Sequence, residues 1–328
     1  MSARRHAIRV SILAGLVVSL LLLWFSLRQV DVHELARTFV SVRLMPVLLS
    51  AAAMAASLPL RALRWRLIAG LPPSRHRHFA RATYLGLLVN QLAPGRLGEL
   101  VRIVTLARLS GSTFAGPLAS AVLDRLVDIS VLISYAGLLS LLLPLDPVLV
   151  AWIGYLLAAG VALLVALAWF VTSAHLWERP VATLTARWLQ RWSLRPDIFL
   201  SELRHELYTI MRDATRFGRV ALVALAILCC DYLIIAALFL ALAIPLTLLA
   251  PLLVLFCLAA ASALPSAPGY VGVYQAAAVV AMAFFAQSAE KGVALATLLQ
   301  LVTLTVAILM NGRGAWALIR QARATISL

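Results

Sequence analysis

Long apolar stretches separated by short arginine-bearing segments dominate this chain. Residues 8–27, 44–69, 114–143, 148–172, 219–242 and 292–312 are each continuous and predominantly apolar. Each reaches the roughly 20 residues that a helix rising about 1.5 Å per residue needs to cross ~30 Å of hydrocarbon. Two more apolar regions are interrupted. The first, 81–109, breaks at Ala93-Pro94-Gly95; the second, 247–287, breaks at Pro265-Ser266-Ala267-Pro268-Gly269. Cut at its break, the first region leaves helical arms of about 20 Å, too short to span alone.

Arginine placement orients these elements, because cytoplasmic loops of membrane proteins carry the basic residues. Arg4, Arg5 and Arg9 precede the first span, and Arg313, Arg320 and Arg323 follow the last. The stretches 61–81 and 173–219 are arginine-rich, whereas 143–147 and 243–247 contain neither Arg nor Lys. This pattern predicts both termini in the cytoplasm. The 28–43 loop dissents, with Arg28, Arg37 and Arg43 beside Asp31 and Glu34. If the first broken region enters and leaves on the cytoplasmic face, the uncharged 143–147 turn falls outside, as the count requires. The longer second region either spans or returns on the opposite face, and a return there ends the last span inside.

The predicted fold class is therefore an all-α polytopic membrane protein: about six full spans plus two Pro/Gly-broken re-entrant hairpins. The breaks read Pro94-Gly95-Arg96-Leu97-Gly98 and Pro268-Gly269-Tyr270-Val271-Gly272, each a Pro-Gly-x-x-Gly opening an apolar helix. Paired interruptions of this kind point to an inverted repeat with a binding site between its halves. Residues 1–328 are expected to form a single transmembrane domain. Within it, 173–218 is a cytoplasmic interfacial amphipathic segment, with Trp177, Trp188 and Trp192 near Arg187, Arg191 and Arg195.

Composition sharpens the class. Hydrophobic residues make up 63% and charged residues only 12%, about half the charged share of a soluble domain. Mean hydropathy is +0.98. A soluble enzyme domain, a secreted disulfide scaffold and a nucleic-acid binder are poor fits. The net charge of +15 is read as a topology signal and an attraction for anionic headgroups. Cys229, Cys230 and Cys257 lie in apolar runs without metal-ligand spacing. No metal or cofactor is expected.

Ionisable residues at membrane depth are costly and mark functional candidates. They are Arg96, Glu99, Arg102, Asp124, Arg125, Asp128 and Asp231. Asp124 and Asp128 share a helix face, Arg125 reaches Asp128 at i+3, and Glu99 is placed to pair with an arginine of that helix. Helix starts after Gly95 and Gly269 would turn unpaired N–H groups into a central cavity, where they favour anions. With Arg96, Arg102 and Arg125 they make a candidate phosphate-headgroup site. The competing reading is a closed salt-bridge network of Glu99, Asp124, Arg125 and Asp128. Asn90, Gln91, Tyr270, Tyr274 and Gln275 flank the breaks, placed either to satisfy freed backbone groups or to line the cavity. Arg61, Arg64 and Arg66 with Trp65 read as cytoplasmic interface anchors.

The run Asn90-Gln91-Leu92-Ala93-Pro94-Gly95-Arg96-Leu97-Gly98-Glu99, then Arg102, Asp124-Arg125 and Asp128, resembles the first signature of the lysylphosphatidylglycerol synthase transmembrane-region family. Leu264-Pro265-Ser266-Ala267-Pro268-Gly269-Tyr270-Val271-Gly272-Val273 resembles its second. This family often has a glycine where Tyr270 stands and an acid where Gln275 stands. The resemblance covers essentially the whole chain. It implies a flippase of the bacterial cytoplasmic (inner) membrane, with no catalytic residues of its own. Asn90, Pro94, Gly95, Arg96, Gly98, Glu99, Arg102, Asp124, Arg125, Asp128, Pro268, Gly269, Gly272 and Gln275 form the expected substrate-binding set. Implied partners are membrane phospholipids or lipid-linked intermediates and a separate synthase or pathway enzyme. The chain ends at Leu328, so the attached soluble synthase domain of two-domain relatives is expected to be absent. No Walker A pattern occurs, so any drive would be downhill or ion-coupled. A membrane-embedded transferase on a lipid-linked substrate, with Asp124, Asp128 and Glu99 holding a divalent metal or acting as general base, and a non-catalytic accessory subunit stay open as alternatives.

Overall fold

A computed structural model describes Gly15, residues 17–142 apart from Gln29 and Gly95, residues 212–326 apart from Ala263 and Pro265, and scattered positions between 154 and 209. Among the described residues the chain is helical, with no strand. The 148–172 span is described only at scattered positions, all helical. The 173–200 part of the interfacial segment and most of the first span before Val17 lie outside the described residues.

In chain order the helices are α1 (Val17–Leu27), α2 (Val32–Val40), α3 (Leu44–Ile68), α4 (His76–Leu92), α5 (Leu97–Ser110), α6 (Ala115–Leu142), α7 (Ala214–Ala241), α8 (Leu249–Ala261), α9 (Val273–Phe284) and α10 (Ala289–Ile326). Among the described residues four stretches are long and apolar enough to cross a membrane: α3, α6, α7 and residues 289–312 of α10. Much of their apolar surface is uncovered by protein; Leu222 is 66% and Leu309 72% exposed. In water such surface would be costly, whereas in a bilayer it meets lipid tails. The helices stop at both Pro/Gly breaks, but the first arm is longer than its apolar run. α4 begins at His76, so its 17 residues reach about 26 Å. The other arms, α5, α8 and α9, have 14, 13 and 12 residues.

The chain divides into two compact units. The first comprises residues 1–59, 81–102 and 228–328. Its core joins Leu58 of α3 to Val302 and Val306 of α10, with Tyr84 and Leu87 of α4 packed against them. α2 is tied to the start of α10 at its N-cap. The Asp31 side chain accepts the His33 and Glu34 N–H groups, while the Asp31 N–H donates to Glu290 Oε1 at 2.9 Å.

The second unit comprises residues 60–80 and 103–227. Ile68, Ala119, Leu123 and Val220 form its apolar centre. Helix ends here are closed by side chains. Gly70 takes a left-handed φ of 64° just past α3, and the Arg216 guanidinium donates to the carbonyls of Leu67 and Ile68. These are the orphan acceptors of a helix C-terminus, where a cation is also favoured by the dipole. Asp213 caps α7 by accepting the Arg216 N–H at 2.9 Å.

Candidate functional site at the two helix breaks

Both breaks fall in the first unit. At the first, α4 and α5 lie backbone against backbone. A Cβ placed on Gly98 would collide with the Gly86 carbonyl oxygen and the Asn90 side chain, so only glycine permits this approach. The Gly98 N–H donates to Asn90 Oδ1 at 2.8 Å, and the Glu99 N–H returns to the Arg96 carbonyl at 3.1 Å.

At the second break the chain leaves α8, makes a 3-10 turn over Pro268–Tyr270 and enters α9 at Val273. The helix thus starts four residues beyond Gly269 rather than directly after it. Gly269 (φ 65°), Tyr270 (φ 61°) and Gly272 (φ 84°) are all left-handed, and such a run cannot continue a right-handed helix. Its backbone groups find partners on three other elements. Ala267 N–H donates to Ser19 Oγ of α1 at 2.7 Å. Gly272 N–H donates to Gln275 Oε1 at 2.8 Å. Gln300 Nε2 of α10 donates to the Gly269 carbonyl at 2.9 Å, and Gln275 Nε2 donates to Gln300 Oε1 at 2.8 Å. Non-helical backbone at membrane depth requires this kind of satisfaction, because lipid offers no hydrogen bonds.

These bonds change the expected electrostatics. The N–H groups of Gly98 and Gly272 are occupied by Asn90 and Gln275, so the helix starts do not offer them to an anion. Positive charge at the breaks comes instead from side chains. Arg96 and Tyr270 hold the same third place in the two Pro-Gly-x-x-Gly motifs. Both are left-handed without being glycine, at φ 56° and 61°, which costs about 1–2 kcal/mol each. They face each other: the Arg96 guanidinium carbon lies 5.9 Å from the Tyr270 ring centroid. Tyr270 in turn stacks on Tyr274, with centroids 4.8 Å apart and planes within 9°. Arg96 Nε is shielded from solvent and has no hydrogen-bond partner among the described residues. Glu99 and Arg102 form an ion pair at 2.9 Å along α5. Gln91 reaches the second break as well, its Oε1 lying 3.3 Å from where a Gly269 Cβ would stand.

Asp124, Arg125 and Asp128 belong to the second unit. They meet an arginine that the sequence pattern assigns elsewhere. Arg64 Nε donates to Asp124 Oδ1 at 2.8 Å and Arg64 Nη2 to Asp128 Oδ1 at 2.6 Å, while Arg125 Nη1 donates to Asp128 Oδ2 at 2.9 Å. Arg64 and Trp65 are therefore not interface anchors. Their exposures are 3% and 0%, and the Trp65 indole N–H donates to Ser120 Oγ at 3.1 Å. The arginine-rich cluster misleads because the helical turn carries Arg64 and Trp65 inward. With both carboxylates held by guanidinium groups, the pair is poorly disposed to ligate a metal. No group of three His, Cys, Asp or Glu fit for a metal occurs among the described residues.

The family model described as lysylphosphatidylglycerol synthase TM region matches residues 12–310. The chain belongs to this family. The match includes both breaks, α3, α6, α7, the last span up to residue 310 and the buried Arg64 cluster. No curated protein and no solved structure matches the chain. Membership in the lysylphosphatidylglycerol synthase TM region family, with several apolar spanning helices, makes this a multi-pass integral membrane protein of a lipid-related family. The left-handed φ of Tyr270 is one that a glycine would adopt without strain. Ser19 and Gln300 join this site from outside both motifs. Their signal in the sequence is a polar side chain in an otherwise apolar span, which usually means a partner inside the protein. Gly95 lies outside the described residues.

Proposed function

We propose that this protein is a lipid or lipid-linked substrate flippase of the bacterial cytoplasmic membrane. An anionic headgroup is held at the junction of the two breaks while the acyl chains stay in the bilayer. The observation that carries this reading is Arg96. Its backbone is strained, its guanidinium is directed to the opposite break, and its Nε lacks a hydrogen-bond partner among the described residues. Strain of this kind persists where function uses it, and a guanidinium suits phosphate oxygens. Glu99 and Arg102 supply a neighbouring ion pair that can reorganise around the headgroup.

In this reading α4–α5 and α8–α9 are re-entrant hairpins entering from opposite faces, related as an inverted repeat beside about six full spans. Both termini lie in the cytoplasm. The short arms and the shared left-handed third position of each motif support it.

The test is transbilayer movement of labelled lipids in proteoliposomes holding the full chain. The panel is phosphatidylglycerol, phosphatidylethanolamine, lysylphosphatidylglycerol and a polyprenyl phosphate. Protein-dependent movement should fall at least tenfold in Arg96→Ala and Glu99→Gln while thermal unfolding stays unchanged. Absence of movement for every lipid, with protein intact, would refute the flippase reading.

A further inference from the structure

We infer that Gln300 is a positioning residue: it fixes the left-handed turn that holds Tyr270 beneath Arg96. The inference rests on the flippase reading for its functional consequence, but its structural content stands apart.

A closed ring of hydrogen bonds carries it. The Gly269 carbonyl accepts from Gln300 Nε2 at 2.9 Å; Gln300 Oε1 accepts from Gln275 Nε2 at 2.8 Å; Gln275 Oε1 accepts the Gly272 N–H at 2.8 Å. The ring spans the turn from Gly269 to Gly272 and anchors it to α10. Inside it sits Tyr270, whose φ of 61° is unfavourable for a residue with a Cβ. A strained backbone keeps its conformation only when its surroundings over-determine it. Here Gln300 bonds the turn's own Gly269 carbonyl from α10, while Ser19 of α1 holds Ala267 just before it. Two amide side chains suit the task because each donates and accepts at once. Both Gln300 bonds are part-buried, and in a lower dielectric than water such linked bonds strengthen one another.

The consequence passes through the ring of Tyr270. Its face stacks on Tyr274 on one hand and meets the Arg96 guanidinium at 5.9 Å on the other. If the turn relaxes toward right-handed φ values, the Tyr270 side chain leaves this position. Arg96 then loses the surface that holds it. Gln300 therefore acts on the headgroup site without belonging to it.

The test uses the full chain with a fluorinated tyrosine at position 270, in proteoliposomes. The fluorine resonance reports the ring's surroundings without depending on transport. Arg96→Ala should shift it, because the cation is removed. Gln300→Met, which keeps side-chain volume, should also shift or broaden it. Thr303→Val should not: Thr303 lies on the same helix but bonds only the Leu299 carbonyl among the described residues. Movement of labelled phosphatidylglycerol should fall about tenfold or more in Gln300→Met, which loses two part-buried hydrogen bonds together worth at least about one such factor. Arg96→Ala combined with Gln300→Met should be no slower than Arg96→Ala alone, as for two residues acting through one contact. An unmoved resonance in folded Gln300→Met, or an additive double variant, would overturn the assignment. A moved resonance in a protein that transports no lipid of the panel would leave the positioning role standing and overturn the flippase reading alone.

Discussion

Replacing Arg64 by Met asks whether the buried cluster of α3 and α6 is a structural necessity. Arg64 bridges Asp124 at 2.8 Å and Asp128 at 2.6 Å, with the Arg64 and Asp124 side chains each 4% exposed. Met fills similar volume but leaves the Asp124 carboxylate buried without this partner. Breaking a buried pair by removing one member costs about 3–5 kcal/mol, or roughly a hundredfold to several-thousandfold in the folding equilibrium. Arg125 offers an internal comparison. It also reaches Asp128, at 2.9 Å, but is 46% exposed and pairs at i+3 along the helix. Such a pair is worth at most about 0.5 kcal/mol, so Arg125→Ala should be nearly neutral. Adding Asp124→Leu to Arg64→Met should recover part of the loss, because the orphaned charge is then removed. The assay is reversible unfolding of the purified protein in mixed micelles of increasing denaturing-detergent content, followed by tryptophan fluorescence. If Arg64→Met costs no more than Arg125→Ala, the claim that this cluster holds the second unit together is wrong.

Gly98→Ala should destabilise by about 1–3 kcal/mol or more, since its methyl meets the Gly86 carbonyl, a backbone atom that cannot rotate aside; the same unfolding assay checks it. Tyr270→Gly should relieve the left-handed strain of about 1–2 kcal/mol while losing a ring stack of about 0.5–1.5 kcal/mol. Its stability should stay near wild type while phosphatidylglycerol movement falls, and a large stability loss would refute this balance. Ser19→Ala removes the acceptor of the Ala267 N–H and should cost about 1–3 kcal/mol, read by thermal unfolding. His76, at the start of α4, is pushed below the usual histidine range by burial and by the nearby Arg66 charge. Folding therefore favours its neutral form: stability is full above about pH 6.5 and falls as pH drops through that value toward the depressed one. His76→Gln should flatten the acid side of a stability–pH curve between about pH 7 and 5, and an unchanged slope would refute the assignment.

Much of this molecule could be read from its pattern because the bilayer imposes strict rules. Spans must be long, apolar and internally hydrogen-bonded, so α3, α6, α7 and the first part of α10 stand out. Both breaks were visible because Pro and Gly stop a helix wherever they fall together. The 76–80 extension of α4 is not legible in the sequence, since its basic residues hide a helix that continues beyond the apolar run. The place of Arg64 is hidden because four neighbouring basic or aromatic positions look like an interface belt. Only its angular position on α3, set by packing, points it at Asp124.

The sequence by itself determined the solvent of this protein, the approximate bounds of its described spans, the two Pro-Gly-x-x-Gly breaks and its family. Each of these follows from local chemistry: apolar runs prefer lipid, and Pro-Gly pairs end helices. Tertiary structure alone decided which polar groups meet. It set Gln300 against Gly269, Ser19 against Ala267, Arg96 over Tyr270 and Arg64 between two carboxylates. These partners lie as far as 248 residues apart. Their pairing depends on how helices rotate and pack, a choice that no local pattern encodes. In lipid, a buried polar group must find such a partner within the protein itself.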